Sequence, residues 1–445
     1  MPPSISPKKK LVLLPLAAVI FLTVSGGPYG LEPVLSYAGR NTALVLLVLT
    51  PLVWDIPIIL MVLELNGIMP ITGGYYQWVK RALGLRWAFF EGWWTWLYTF
   101  TDLAIYPVLF VQYAGFFHPD ILHYRIPICL SVIWSAAALN IRGIVPVGKA
   151  SLLLSAAVLL PFFLLVGIIF QRHAVGHLHF ALPARPPSFP LLGMALFTIM
   201  WNYIGWDNVT TYAQEVKRPV RSYLQGIVLA FVAIFVIYFF AVLSAQRSGI
   251  DFNELASKGF PLLGMREGGR WLGNLLAASG MASSFGIFCT VLLSVSRIPE
   301  VMAADKLLPS RLNRLHPRYQ TPYFSILICA VVVSGMILWT FGDLIIIDVS
   351  LYSMGLLLEF LSLIVLRRKY PLELRPFRIP LQGFGLWLLL LLPMAVFGIA
   401  LAGSLMAAAK TLPPLLFTAG ALLSAELAWA LLRVRNSAKS TARPG

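Results

Sequence analysis

Twelve apolar runs of about 20 residues, each long enough to cross a hydrocarbon core of roughly 30 Å, follow one another almost without pause along this chain. They centre near residues 22, 53, 101, 132, 158, 201, 232, 287, 331, 356, 394 and 422. No linker, charge block or low-complexity stretch is long enough to house a separate soluble domain. With 59% hydrophobic and 12% charged residues, and a mean hydropathy of +0.81, the composition is far from the roughly one-quarter charged residues of a soluble domain. The sequence predicts an all-α integral membrane protein of about 12 transmembrane helices, with residues 1–445 forming a single membrane domain. Lys8, Lys9 and Lys10 before the first run resemble a signal-peptide start, but no small-residue cleavage site follows, so the run is read as the first span.

Charge sets the expected orientation. If the amino terminus is cytoplasmic and sides alternate, twenty-five of the 34 Lys and Arg residues fall on the inside, which predicts a multi-pass protein of the cell membrane with both termini cytoplasmic. The net charge of +16 is then a topology signal, and no nucleic-acid partner is expected. Cys129, Cys289 and Cys329 each lie in an apolar run without CxxC spacing, so they read as buried small hydrophobes. His173, His177 and His179 occupy one outer loop with no nearby Cys or carboxylate and read as surface histidines; no metal site or cofactor is expected. The outer loop 245–270 is expected to hold a short helix starting near Asp251. The inner loop 71–84, with Tyr75, Trp78, Val79 and Leu83 at helical spacing, reads as an amphipathic helix lying in the membrane interface.

Two of the spans are interrupted at mid-length. The first breaks at SGGPYG, comprising Ser25, Gly26, Gly27, Pro28, Tyr29 and Gly30; the sixth breaks at WNYIGWDN, Trp201 to Asn208. Glycine weakens a helix and proline lacks a donor, and hydrocarbon tolerates such backbone only where it lines a cavity or binds something. Breaks five spans apart predict two repeats of opposite orientation, with a ligand site near mid-membrane. The amides after Gly27 would face a ligand carboxylate. Trp201, Asn202, Tyr203, Gly205, Trp206 and Asp207 would face its other end, where aromatic rings suit a cationic amine. Asp207 could equally cap its own helix.

Other ionisable groups lie within spans, where charge is costly. Trp94, Tyr98, Asp102 and Tyr106 form one stripe on the third span. Asp102 could attract an amine, carry a proton, or accept a tyrosine hydrogen bond. Asp55, Lys149 and Glu359 are candidates for proton coupling, with Lys149 snorkelling as the alternative. Ser283 and Ser284 are candidate cation ligands, or small residues at a helix contact. Clustered acids at one membrane face, as a membrane-embedded transferase would need, are absent from the pattern, and so is a filter-like segment of a channel.

These residues resemble the amino acid/polyamine/organocation superfamily of permeases over nearly the whole chain. SGGPYG is similar to its glycine-rich first break, MPITGGYYQWVKRALG with Glu64 upstream to its inner-loop pattern, and YIGWDNVTTYAQEVKRPVR, with Glu215, Pro219 and Arg221, to its sixth-span signature. EGWWTWL, DLAIYPVLF, LNIRG and LYSMGLLLEFLSLIVLRRKYPLELRPFRIPL resemble the branch of plant polyamine uptake and L-type amino acid transporters. The resemblance implies a LeuT-like core of ten helices in two inverted repeats, about 11–170 and 190–368, with two additional helices at 385–434. It implies a secondary transporter importing an amino acid or polyamine by alternating access, with proton coupling and with sodium coupling or exchange as alternatives. The implied partners are an amine-bearing substrate, a proton and membrane lipid, for a monomer or weak homodimer. Two positions depart from the branch: Ile58 stands where a second-span glutamate is usual, and Ser155 where many proton-coupled relatives carry a lysine.

Overall fold

The computed structural model describes residues 10–173, 187–338, 341–406 and 412–441. In chain order the α-helices are α1 (Leu13–Val24), α2 (Glu32–Ala38), α3 (Arg40–Thr50), α4 (Ile56–Ile68), α5 (Gly74–Leu83), α6 (Leu85–Gly115), α7 (Arg125–Ile141), α8 (Ile144–Arg172) and α9 (Phe189–Trp201). They continue as α10 (Pro219–Arg247), α11 (Phe252–Gly268), α12 (Arg270–Val295), α13 (Arg297–Ala304), α14 (Tyr323–Met336), α15 (Phe341–Lys369), α16 (Phe384–Met406) and α17 (Leu412–Thr441). A π-helical turn, Pro51–Asp55, joins α3 to α4, and a 3-10 segment, Asn208–Glu215, follows the second break. There is no β-strand among the described residues.

Among the described residues, eight helical stretches are long and apolar enough to cross a membrane: Arg40–Ile68, Pro119–Ile141, Ile144–Arg172, Pro219–Arg247, Arg270–Ala304, Leu344–Lys369, Phe384–Met406 and Pro413–Val434. Each of the twelve expected centres nevertheless falls on a helical element. The difference has two physical sources. The breaks leave α1 and α9 only 12 and 13 residues long, and α14 has 14. α6 has ample length at 31 residues, but its many Trp, Tyr and Thr residues, together with Asp102, lower its apolar character.

α5 corrects the interfacial reading of the inner loop. Tyr75, Tyr76, Trp78, Val79 and Ala82 are buried against α6, α15 and the 3-10 segment, so the apolar face serves the protein core. The glycine pair explains how. Gly73 N donates to Thr211 O at 2.8 Å, and a Cβ on Gly74 would stand 2.1 Å from Thr210 Oγ1. Beside this joint, Leu11 N donates to Glu215 O and Lys217 N to Leu11 O, both at 2.9 Å, tying the chain's first described residues to the end of the second break. Arg297 pairs with Glu215 at 3.1 Å and Lys80 with Asp305 at 2.6 Å at the same end of the bundle.

At the opposite end, α11 starts as expected at Asp251, whose carboxylate caps the helix by accepting from Asn253 N and Glu254 N at 2.9 Å. It kinks at Gly259 and packs on α12 and α2. All three cysteines are free and buried. His173 pairs with Glu267 at 3.0 Å, and no metal-holding group occurs among the described residues. His177 and His179 lie outside those residues.

Candidate functional site

The chain leaves α1 at Ser25 and enters α2 at Glu32, and Gly26, Gly27 and Gly30 between them all take positive φ. Gly30 is demanded twice: its φ is +94°, and a Cβ there would lie 2.6 Å from Trp201 Cζ3. The interruption is well supplied with partners. Gly27 N donates to Ser25 Oγ at 3.0 Å, Ser283 Oγ donates to Gly26 O, and Gly30 N donates to Glu32 Oε2 at 2.6 Å. Where the sequence expectation put a ligand's carboxylate, the chain's own Glu32 carboxylate already sits. Buried amides require an acceptor, and an acid in the first turn of the following helix is the nearest one. Toward α12, Tyr29 donates its hydroxyl to Leu276 O at 2.6 Å. Its ring packs on Tyr113 and Phe162, with centroids 4.9 and 5.2 Å away, and covers the break.

The second interruption begins where α9 ends at Trp201, and Gly205 turns the chain at φ +106°. Gly205 lies so close to α1 that a Cβ would be 3.2 Å from Thr23 O. The two breaks are therefore in direct contact, at Gly30 against Trp201 and at Gly205 against Thr23. Tyr238 ties the arrangement together by donating to Asn202 O at 2.8 Å, and its ring meets that of Tyr203 at 5.0 Å. The indole of Trp206 donates to Asp55 Oδ1 at 3.0 Å, which brings the acid of the π turn to the second break. Such turns are frequent at functional sites.

α6 and α15 flank both breaks. Tyr106 donates to Asp102 Oδ1 at 2.5 Å and stacks on Trp201, with ring centroids 6.3 Å apart. Asp348 of α15 faces this pair, with both carboxyl oxygens buried and free of hydrogen-bond partners. Tyr98 donates to Asn208 Oδ1 at 3.1 Å and packs edge-on against Tyr352 at 5.6 Å. Tyr352 donates to Asp207 Oδ1 at 2.6 Å, so Asp207 serves this cluster and makes no side-chain cap for the 3-10 segment. The Asp207 carboxyl also meets that of Glu359. Glu91 lies against Gly355, where a Cβ would be 2.9 Å from its Oε1.

Seven buried acids thus surround the breaks: Glu32, Asp55, Glu91, Asp102, Asp207, Asp348 and Glu359. The ion pairs among the described residues all use other acids. None of the seven therefore has a Lys, Arg or His at ion-pair distance among the described residues, and burying charge without such a partner is costly.

Other candidate residues are placed differently. Trp94 donates its indole N–H to Leu422 O at 3.2 Å and so faces α17, away from Asp102. Lys149 is exposed, while Ser155 is buried with its hydroxyl directed at Ala18 O, 3.5 Å away. Ser284 donates to Gly280 O of its own helix at 2.9 Å. Sequence reading passed over Glu32, Glu91, Asp348 and Tyr352. For Asp348 the signal was available, since LIIIDVS places one acid in an otherwise apolar run.

Residues 11–422 match the family described as amino acid permease. The chain belongs to the amino acid permease family. Among its relatives, polyamine transporter RMV1 of Arabidopsis thaliana is 33% identical over 411 residues, covering 88% of this permease and 80% of the relative. Polyamine transporter PUT1 of Oryza sativa subsp. japonica is 32% identical, with coverage of 90% and 75%. The branched-chain amino acid permease BcaP of Bacillus subtilis is 25% identical over 349 residues, with coverage of 71% and 72%. The permease is accordingly a multi-pass membrane transporter and not an enzyme.

Proposed function

We propose that this permease is a secondary carrier of a small organic cation without a carboxylate, a polyamine in preference to an amino acid. The observation that carries this reading is the Gly30 N to Glu32 Oε2 bond. An amino acid needs a donor for its carboxylate at the helix break, and here an internal carboxyl group already takes the amide, so an incoming carboxylate finds no free donor at Gly30. The buried acids around Trp201 and Asp207 supply the complementary attraction for ammonium groups, and Tyr106, Trp201 and Tyr203 supply aromatic surface. The names of the plant relatives agree with this choice.

In this reading the carrier has twelve spans, both termini are cytoplasmic, and residues 11–170 and 190–368 are inverted repeats followed by two additional helices at 385–434. It sits in the cell membrane and works as a monomer or weak homodimer by alternating access. Proton coupling follows from the same acids: groups that cannot stay charged while buried and empty hold protons until a cation replaces them. Asp55 and Glu359 are the carboxyls proposed for this role, and Lys149, exposed near the start of α8, is no longer favoured.

Competition against labelled substrate in proteoliposomes tests the reading with paired compounds that differ by one carboxylate. Agmatine should compete at least about tenfold better than arginine, and 1,5-diaminopentane better than lysine, as expected for one unfavourable charged contact. Equal competition by arginine and lysine would restore the amino acid reading.

A further inference from the structure

The acids on α6 and α15 follow a shared spacing. Glu91 and Asp102 are eleven residues apart on α6, and Asp348 and Glu359 are eleven apart on α15. Eleven residues make three helical turns to within about 20°, so the two acids of each helix point the same way and lie about 16 Å apart along its axis. The helices run antiparallel here, because Tyr98 packs on Tyr352 while Glu91, earlier on α6, lies against Gly355, later on α15; this register sets Asp102 beside Asp348 and Glu91 beside Glu359. The result is two acidic poles, Asp102 with Asp348 and Glu91 with Asp207 and Glu359. Tyr98 and Tyr352 stand edge-to-face between them, about one turn from Asp102 and Asp348 and about two from Glu91 and Glu359. Unpartnered buried oxygens occur at both poles: Asp348 Oδ1 and Oδ2 at one, Glu91 Oε2 and Glu359 Oε2 at the other.

We infer that these poles form a length gauge, binding one extended polyamine along α6 and α15 with a terminal ammonium at each pole about 16 Å apart. This rests on the amine reading above and specifies which amines. An extended chain advances about 1.2 Å per bond, so the thirteen bonds between the terminal nitrogens of spermine span about 16 Å, the nine of spermidine about 11 Å and the five of putrescine about 6 Å. Only the longest reaches both poles. The edge-to-face pair Tyr98 and Tyr352 lies along this path and supplies aromatic surface for the inner ammonium groups. When Tyr352 releases Asp207, the lower pole gains a further unpaired carboxyl oxygen for the substrate.

The experiment is competition by α,ω-diaminoalkanes of four to twelve carbons, with spermine and mono-N-acetylspermine, against labelled spermidine in proteoliposomes of the full-length chain. The linear diamines vary length at constant charge; spermine matches the twelve-carbon diamine in length without its hydrophobicity. Competition should rise with length, spermine and the twelve-carbon diamine exceeding the four-carbon diamine by about tenfold, as for a second charge-assisted contact. Mono-N-acetylspermine, which keeps the length and loses one terminal charge, should fall back toward the short diamine. Asp348→Asn and Glu359→Gln, each checked for folding by thermal melting in detergent, should flatten the length dependence. If all diamines compete equally, the gauge is overturned while the amine reading stands; if no amine competes, the amine reading itself falls. Should Glu359→Gln change only the pH profile, equally at every length, the lower pole is a proton site and the gauge is likewise overturned.

Discussion

The carboxylate of Glu32 accepts the amide of Gly30 at 2.6 Å, and in the proposed reading this one bond closes the first helix break to outside anions. A seven-residue helix that starts with its own acid has little positive potential left to offer. Removing that acid should reopen the place. Glu32→Ala is expected to narrow the preference for agmatine over arginine by about tenfold, through improved binding of arginine, since a hydrogen bond to a charged group is worth about 1.5–3 kcal/mol. The ratio of the two inhibition constants measures it, and an unchanged ratio removes Glu32 from the account of selectivity.

Gly30 and Gly39 permit a separation of backbone strain from contact. Both have positive φ, +94° and +73°, but a Cβ on Gly30 meets Trp201 at 2.6 Å whereas one on Gly39 meets nothing within 4 Å. Gly39→Ala should cost only the conformational penalty of about 1–3 kcal/mol. Gly30→Ala should cost about 1–3 kcal/mol more through overpacking, and should abolish transport because the two breaks can no longer touch. Detergent melting curves and uptake rates for the two variants check this. Equal destabilisation would mean that Trp201 gives way freely.

The order of helices and the pairing of the two breaks were legible because proline, glycine and hydropathy are local signals. SGGPYG and WNYIGWDN each announce a helix that stops. What escaped was the neighbourhood of single acids. Glu91 and Asp348 belong to helices far apart in sequence, and nothing local shows that Asp348 will face Asp102. Glu32 was passed over because its role depends on a backbone turn back to Gly30. The inner loop was read correctly as an amphipathic helix but assigned to the wrong surroundings. Its apolar face is the same whether it meets lipid or protein, and only the close approach at Gly74 and Thr210 decides for protein.

Glu64 anchors the bundle end that carries Leu11. It is fully buried, accepts from Arg367 Nε at 2.7 Å and Ile379 N at 2.8 Å, and forms an ion pair with Arg375 at 3.1 Å. Arg367→Ala leaves a buried carboxylate half compensated and should cost about 3–5 kcal/mol. Lys80→Ala breaks a pair whose side chains are 36% and 21% exposed, and Asp305 keeps the Tyr76 hydroxyl, so its cost should stay near 0–1 kcal/mol. Thermal unfolding in detergent distinguishes them. If Lys80→Ala proves as damaging, the exposed pair is stiffer than its surroundings imply.

Ser283 offers the last prediction, because it separates a hinge clasp from a cation ligand. Its single hydroxyl hydrogen goes to Gly26 O in the first break, and Ser284 spends its own on Gly280 O. A sodium ion needs several oxygens from more than one helix, and Gly26 O is already engaged by Ser283. Uptake should therefore be the same in sodium and choline buffers. Ser283→Ala should lower stability by about 1 kcal/mol, the worth of one hydrogen bond, and should slow transport by freeing a buried carbonyl at the hinge. Its ratio of uptake in sodium to uptake in choline should remain at one. If sodium instead accelerates uptake and Ser283→Ala abolishes that acceleration, the hydroxyl belongs to a cation site and the proton-coupled reading fails with it.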